Sequence, residues 1–324
     1  MGHSVKHRAS AALACCVLLV ACAAPAPEPE QARLPTRAAS VAATIAPPSV
    51  AAVDYYKSGV ARQQAGDMEA ALRNLTWAIQ TDPELAVAYL ARSAVYLAQG
   101  DLSAALGDAE FAHELEPSAE SLVLQGESLR QMERYRQASE AFEQAVEIDA
   151  GLAGELFEVR WSAARASGDL ARIRALSEEY AGAHPDESLR NYYLGWAALE
   201  SGVPNRAIGI LVEGIGDAAR PPALLWYVLG VAYTARQAWP EAVSALETTR
   251  ALVEGGDTSL GLHTGQPIPM LFVALGEAYL GAGRCADAVA MLEFANSVGA
   301  SASEHRALLE EAQICLTPTP TESP

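Results

Sequence analysis

Lysine is almost missing from this chain, occurring only at Lys6 and Lys57 among 324 residues. Basic charge is therefore nearly all arginine. The 22 basic residues face 40 acidic ones, and the formal net charge is -18. A chain this acidic repels nucleic acid and anionic lipid headgroups, so no nucleic-acid partner is expected. Aromatic residues are also scarce, at 6%, although 51% of the chain is apolar. That composition supplies a sizeable core. With alanine abundant, it favours closely packed helices over a sheet-rich fold.

The usual catalytic signatures are missing too. There is no G-x-S-x-G, Walker loop, G-x-G-x-x-G or H-E-x-x-H, no C-x-x-C, and no calcium loop of alternating aspartates. The six histidines are scattered. Carboxylate pairs such as Glu178-Glu179 and Glu310-Glu311 read as solvated helix faces. The expectation is a protein that is not an enzyme, with no cofactor, no metal and no small-molecule substrate.

The N-terminus reads as an export signal. Lys6 and Arg8 precede an apolar run from Ala11 to Val20, too short for a membrane span of about 20 residues. Leu19-Val20-Ala21-Cys22 follows and resembles the bacterial lipobox. The resemblance implies cleavage after residue 21 and lipid on the Cys22 sulfur, anchoring the chain to the cell membrane or outer membrane of a bacterium. Ordinary cleavage after Ala23 or Ala24, releasing a soluble protein, is the alternative. The proline-rich residues 22–50 then form a tether, and residues 317–324 a disordered tail.

What is present in abundance is a period. Gly66, Gly100 and Gly168 lie 34 and 68 residues apart, and Gly202 falls another 34 on. Pro83, Pro117 and Pro185 keep the same spacing. Apolar residues at steps of three and four fill the intervals, as in Ala71, Leu75, Ala78. Glycine ends one helix, aspartate starts the next, and proline stops the pair.

This pattern resembles the tetratricopeptide repeat. It runs through seven units, starting at residues 52, 86, 119, 154, 188, 223 and 269. The fourth is the weakest, with Trp161 where the family usually has glycine. The fold implied is all-α: a right-handed superhelical solenoid of about seven hairpins over 51–316, closed by a capping helix near 303–316. An insertion near 251–268 is expected to be a loop at an edge, neutral or partner-contacting.

Function follows from the resemblance. The chain would be a membrane-anchored protein–protein interaction scaffold on the cell envelope, binding a protein or peptide partner. A structural spacer that organises the cell wall is the alternative. In the family the first helix of each hairpin lines the concave face. That register places Tyr56, Val60, Leu90, Ala94, Tyr192, Trp196, Tyr227, Val231, Val273 and Glu277 in the groove, with Tyr192, Trp196 and Tyr227 as lead contacts. The alternative is that winding buries some of them. Cys285 and Cys315 fall in the last hairpin's turn and near the end of the cap. They are expected to form a disulfide pinning the cap, or else to be inert thiols.

Overall fold

The computed structural model describes residues 49–263, 269–300 and 302–317. The signal segment, Cys22 and most of the tether lie outside them. The described residues are helical, in two compact units divided between Gln131 and Met132.

The first unit holds α1 (Val50–Gln64), α2 (Met68–Thr81), α3 (Ala86–Gln99), α4 (Leu102–Leu115) and α5 (Ala119–Gln131). The second holds α6 (Tyr135–Ile148), a 3-10 turn at Ala150–Leu152, α7 (Phe157–Ser167), α8 (Leu170–Ala183), α9 (Ser188–Glu200) and α10 (Pro204–Asp217). It continues with α11 (Ala223–Ala235), α12 (Trp239–Glu254), the short α13 (Ser259–His263), α14 (Pro269–Gly281), α15 (Cys285–Ser297) and α16 (Ala302–Leu316). None of the described helices is long and apolar enough to cross a membrane.

The punctuation works as the spacing predicts. Gly66, Gly100, Gly168, Gly202 and Gly283 adopt positive φ in their turns, where glycine carries no Cβ penalty. Asp67, Asp101 and Asp169 then cap the following helices, each accepting from a backbone N–H three residues on. Pro204 and Pro240 occupy first-turn positions of α10 and α12, and Pro269 opens α14. Two turns escape the glycine rule, for Glu133 and Gln237 hold the left-handed position without it.

Within a hairpin the two helices cross at a small residue. A Cβ added to Gly59, Gly195, Gly230 or Gly276 would fall 2.5–2.8 Å from the side chain of Leu75, Leu211, Leu246 or Leu292. Each glycine precedes its leucine by sixteen residues. The fourth hairpin, weak as a sequence match, inverts this pair. Trp161 takes the glycine position and the fully buried Ser177, sixteen residues on, takes the leucine position. The Trp161 Nε1–H donates to Ser177 Oγ at 3.3 Å. Volume is thus conserved across the crossing by moving it from one helix to the other.

Successive hairpins stack through their first helices: α1 and α3 pack on one another in the first unit, as do α3 and α5. In the second unit α9 packs on α11, α11 on α14 and α14 on α16. α16 therefore stands where a further hairpin would place its first helix. It buries His305 and Ala312, and His305 Nε2 pairs with Asn296 Oδ1 at 2.7 Å.

The insertion corrects the expectation of an edge loop. Its described part folds back onto α11 through α13, with Leu260 buried in the core. Asp257 Oδ2 accepts from the Ala223 N–H at 3.0 Å and Ser259 Oγ from the Leu224 N–H at 3.3 Å, capping the start of α11. The physical reason is that α11 opens on a proline and an alanine, which offer its first N–H groups no side-chain acceptor of their own.

Candidate functional site

Cys285 and Cys315 are disulfide-bonded, with Cα atoms 5.7 Å apart and a sequence separation of 30. Cys285 opens α15 and Cys315 sits in the exposed last turn of α16. That turn also leaves Ile314 and Leu316 in solvent, so the bond fastens a stretch with little packing of its own. The paired variant Cys285→Ser/Cys315→Ser is expected to lose about 3.5 kcal/mol of unfolding free energy in urea, as for a loop of this length. Faster amide exchange confined to the α16 region should accompany that loss.

The inner layer of first helices is the candidate binding face. Tyr56, Val60, Ala94 and Val231 are half-buried there, in reach of a partner's side chains. The lead aromatic contacts need correcting. Tyr192 is fully buried, Trp196 is 5% exposed and Tyr227 4%. They belong to the core that joins α9 and α11 to their neighbours rather than to an open groove. Leu90 and Val273 are likewise buried. The reason is the large ring set of the fourth hairpin: Trp161 meets Tyr192 and Tyr193 at centroid distances of 5.8 and 5.0 Å, and Tyr192 meets Trp196 edge-on at 6.5 Å. Burial pushes the Tyr192 hydroxyl well above its ordinary range and the Tyr227 hydroxyl up to about 12.

Polar groups converge on the same layer. Arg165 of α7 lies with its guanidinium carbon 5.0 Å from the Trp161 ring centroid and 4.1 Å from that of Trp196. Its Nη2 donates to Glu200 Oε1 at 3.2 Å. Arg165 Nε and Thr234 Oγ1 are buried with no hydrogen-bond partner, and the Trp196 indole pairs with the Tyr192 hydroxyl. Glu277 of α14 is half-buried, and burial raises its carboxyl above the usual range. Among the described residues no group of histidine, cysteine and carboxylates could hold a metal ion.

Arg165 and Thr234 were not singled out in the sequence. Arg165 stands four residues after Trp161, so an inward-facing register was readable. The fourth hairpin's departure from the family pattern hid it.

No family model and no curated protein sequence matches this chain. Solved structures do. A tetratricopeptide repeat protein from Parabacteroides merdae superposes with a TM-score of 0.61 at 13% identity, over 82% of this chain and 100% of the other. The C-terminal part of a TPR repeat-containing protein from Cytophaga hutchinsonii gives 0.53 at 12% identity, over 81% and 100%. The APC/C hetero-tetramer Cut9-Hcn1 gives 0.50 at 18% identity, over 80% of this chain and 48% of the matched one. The all-helical fold is that of the tetratricopeptide-repeat proteins.

Proposed function

We propose that this tetratricopeptide-repeat array is a protein-binding scaffold, held at a bacterial envelope by lipid on Cys22. One observation carries the binding reading. The first helices of successive hairpins form a common inner layer in each unit and leave half-buried apolar side chains on it, among them Val60, Ala94 and Val231. Such a layer suits a helix or an extended segment with large side chains. The hetero-tetramer among the matched structures is a protein assembly, in keeping with that use of the fold. Support for the anchor comes from the sequence Leu19-Val20-Ala21-Cys22.

The test compares wild type with Val60→Arg/Val231→Arg after crosslinking in the native envelope. Circular dichroism confirms that both are folded. Partners captured by wild type and lost in the variant are the expected result. An unchanged set would replace the scaffold with a spacer lacking a defined groove. Metabolic labelling with a radioactive fatty acid tests the anchor: the label should enter wild type and be absent from Cys22→Ser.

A further inference from the structure

In the first unit an aromatic pair bridges the two helices of a hairpin twice over. Tyr55 of α1 meets Trp77 of α2 at a centroid distance of 5.7 Å, and Tyr89 of α3 meets Phe111 of α4 at 4.8 Å. The interplanar angles are 55° and 54°. The second pair stands 34 residues after the first, so both hold the same place in the repeat. Their surroundings differ. Tyr89 is 9% exposed and Phe111 is half-buried, whereas Tyr55 is 39% exposed and Trp77 47%. Two large rings side by side in solvent form an apolar face without its cover.

The second pair is covered by the segment that leads into α3. Ile79, near the end of α2, packs with Phe111 against Tyr89, Leu90 and Ala112. The Tyr89 hydroxyl donates to the Pro83 carbonyl at 3.2 Å. Ile79 and Pro83 precede Tyr89 by ten and six residues. Ten residues before Tyr55 stands Ile45, and eight and seven before it stand Pro47 and Pro48. An isoleucine followed by proline thus precedes both pairs at nearly the same spacing. Residues 38–48 carry no charged side chain, on a chain whose net charge is -18.

We propose that Ile45-Ala46-Pro47-Pro48 docks on the Tyr55–Trp77 pair, as the segment from Ile79 to Pro83 docks on Tyr89 and Phe111. The Ser49 N–H donates to Asp82 Oδ2 at 3.2 Å, which fixes the start of α1 beside the end of α2. Tyr55 lies six residues along α1 from that point and Trp77 five residues back along α2, so each is about 7–9 Å away along its helix. Four extended residues span about 12 Å, enough to reach both rings. Prolines suit an aromatic face because their backbone is already fixed and little entropy is lost on docking. Ile45 supplies the branched side chain that Ile79 supplies in the next hairpin. A hairpin buries its face only against a neighbour, and among the described residues none precedes α1. A second copy of the chain is disfavoured as the cover, since two chains of charge -18 repel one another.

This docking depends on neither the lipid anchor nor a captured partner. The full chain is labelled with fluorotryptophan, and the Trp77 resonance is assigned from Trp77→Phe. The displacement of that resonance between light and heavy water reads the exposure of the ring. It should be small in wild type and in Ile45→Val, and larger in Ile45→Asp. In Ile45→Asp, amide exchange across α1 and α2 should also quicken about tenfold, the worth of one partly covered apolar side chain. Leu34→Asp, which removes an apolar residue outside the pattern, should change neither readout. Equal displacement in wild type and Ile45→Asp would overturn the proposal. So would a displacement in wild type that falls as the chain is concentrated, which makes a second copy the cover. A displacement that falls only when envelope extract is added would assign the face to another protein and overturn it as well.

Discussion

Replacing Trp161 by glycine is expected to cost about 4–5 kcal/mol, as large-to-small changes of a buried indole do. The side chain is 2% exposed and wedged among Tyr192, Tyr193 and Ser177. More telling is what Ser177→Leu does. In wild type it overfills a crossing already occupied by the indole and should destabilise by about 1–3 kcal/mol. In Trp161→Gly it recreates the glycine–leucine crossing of Gly195/Leu211 and Gly230/Leu246. The same substitution should then stabilise, returning part of the loss. The remainder is set by the indole's contacts with Tyr192 and Tyr193, which leucine on α8 does not replace. Urea unfolding of the four variants in a double-mutant cycle measures this. Additive effects would sink the view that the two positions share one volume.

The second large effect lies at Arg160. Its side chain is 4% exposed and bridges two carboxylates on different helices. Nε and Nη2 donate to the Glu143 oxygens of α6 at 3.0 Å, and Nη1 donates to Glu179 Oε1 of α8 at 2.8 Å. Arg172 adds a contact to Glu143 at 2.9 Å. Arg160→Met is expected to lose about 3 kcal/mol, most of it from leaving the buried Glu143 carboxylate with Arg172 as its one remaining cation rather than from lost attraction. Adding Glu143→Leu should therefore restore stability, although it removes a second polar group. Thermal or urea midpoints of the single and double variants decide it. A further drop in the double variant would show that the ion pair itself was the stabilising element. Exposed pairs such as Arg73 with Glu69 should show no comparable loss.

These two sites mark where the sequence was readable and where it was not. Turns were legible wherever glycine marks them, because a left-handed backbone selects that residue. At Glu133 and Gln237 the same geometry is imposed by the packed helices on either side, and no residue type announces it. The glycine–leucine crossings were legible one hairpin at a time. The Trp161–Ser177 inversion was not, because each residue alone looks like a departure and only the pair restores the volume. The lead aromatic contacts failed for a related reason. Periodicity puts Tyr192, Trp196 and Tyr227 on the inner side of their helices, but depth depends on neighbouring ring sizes. The insertion was misplaced as an edge loop, since Asp257 and Ser259 find their donors on α11, more than thirty residues back. The disulfide was legible because hairpin stacking fixes which turn lies beside which helix end.

The crossings, caps and ion pairs described above are satisfied by residues one or two helices away along the chain: sixteen at each crossing, nineteen from Arg160 to Glu179, thirty-five from Arg165 to Glu200. A nascent chain delivered from its N-terminus therefore meets almost every partner within about one further hairpin of synthesis. Folding can keep pace with delivery, each finished hairpin serving as the template for its successor. The bond from Cys285 to Cys315 can close only after α16 has arrived, which makes its formation a signal that the hairpins before α16 have been laid down.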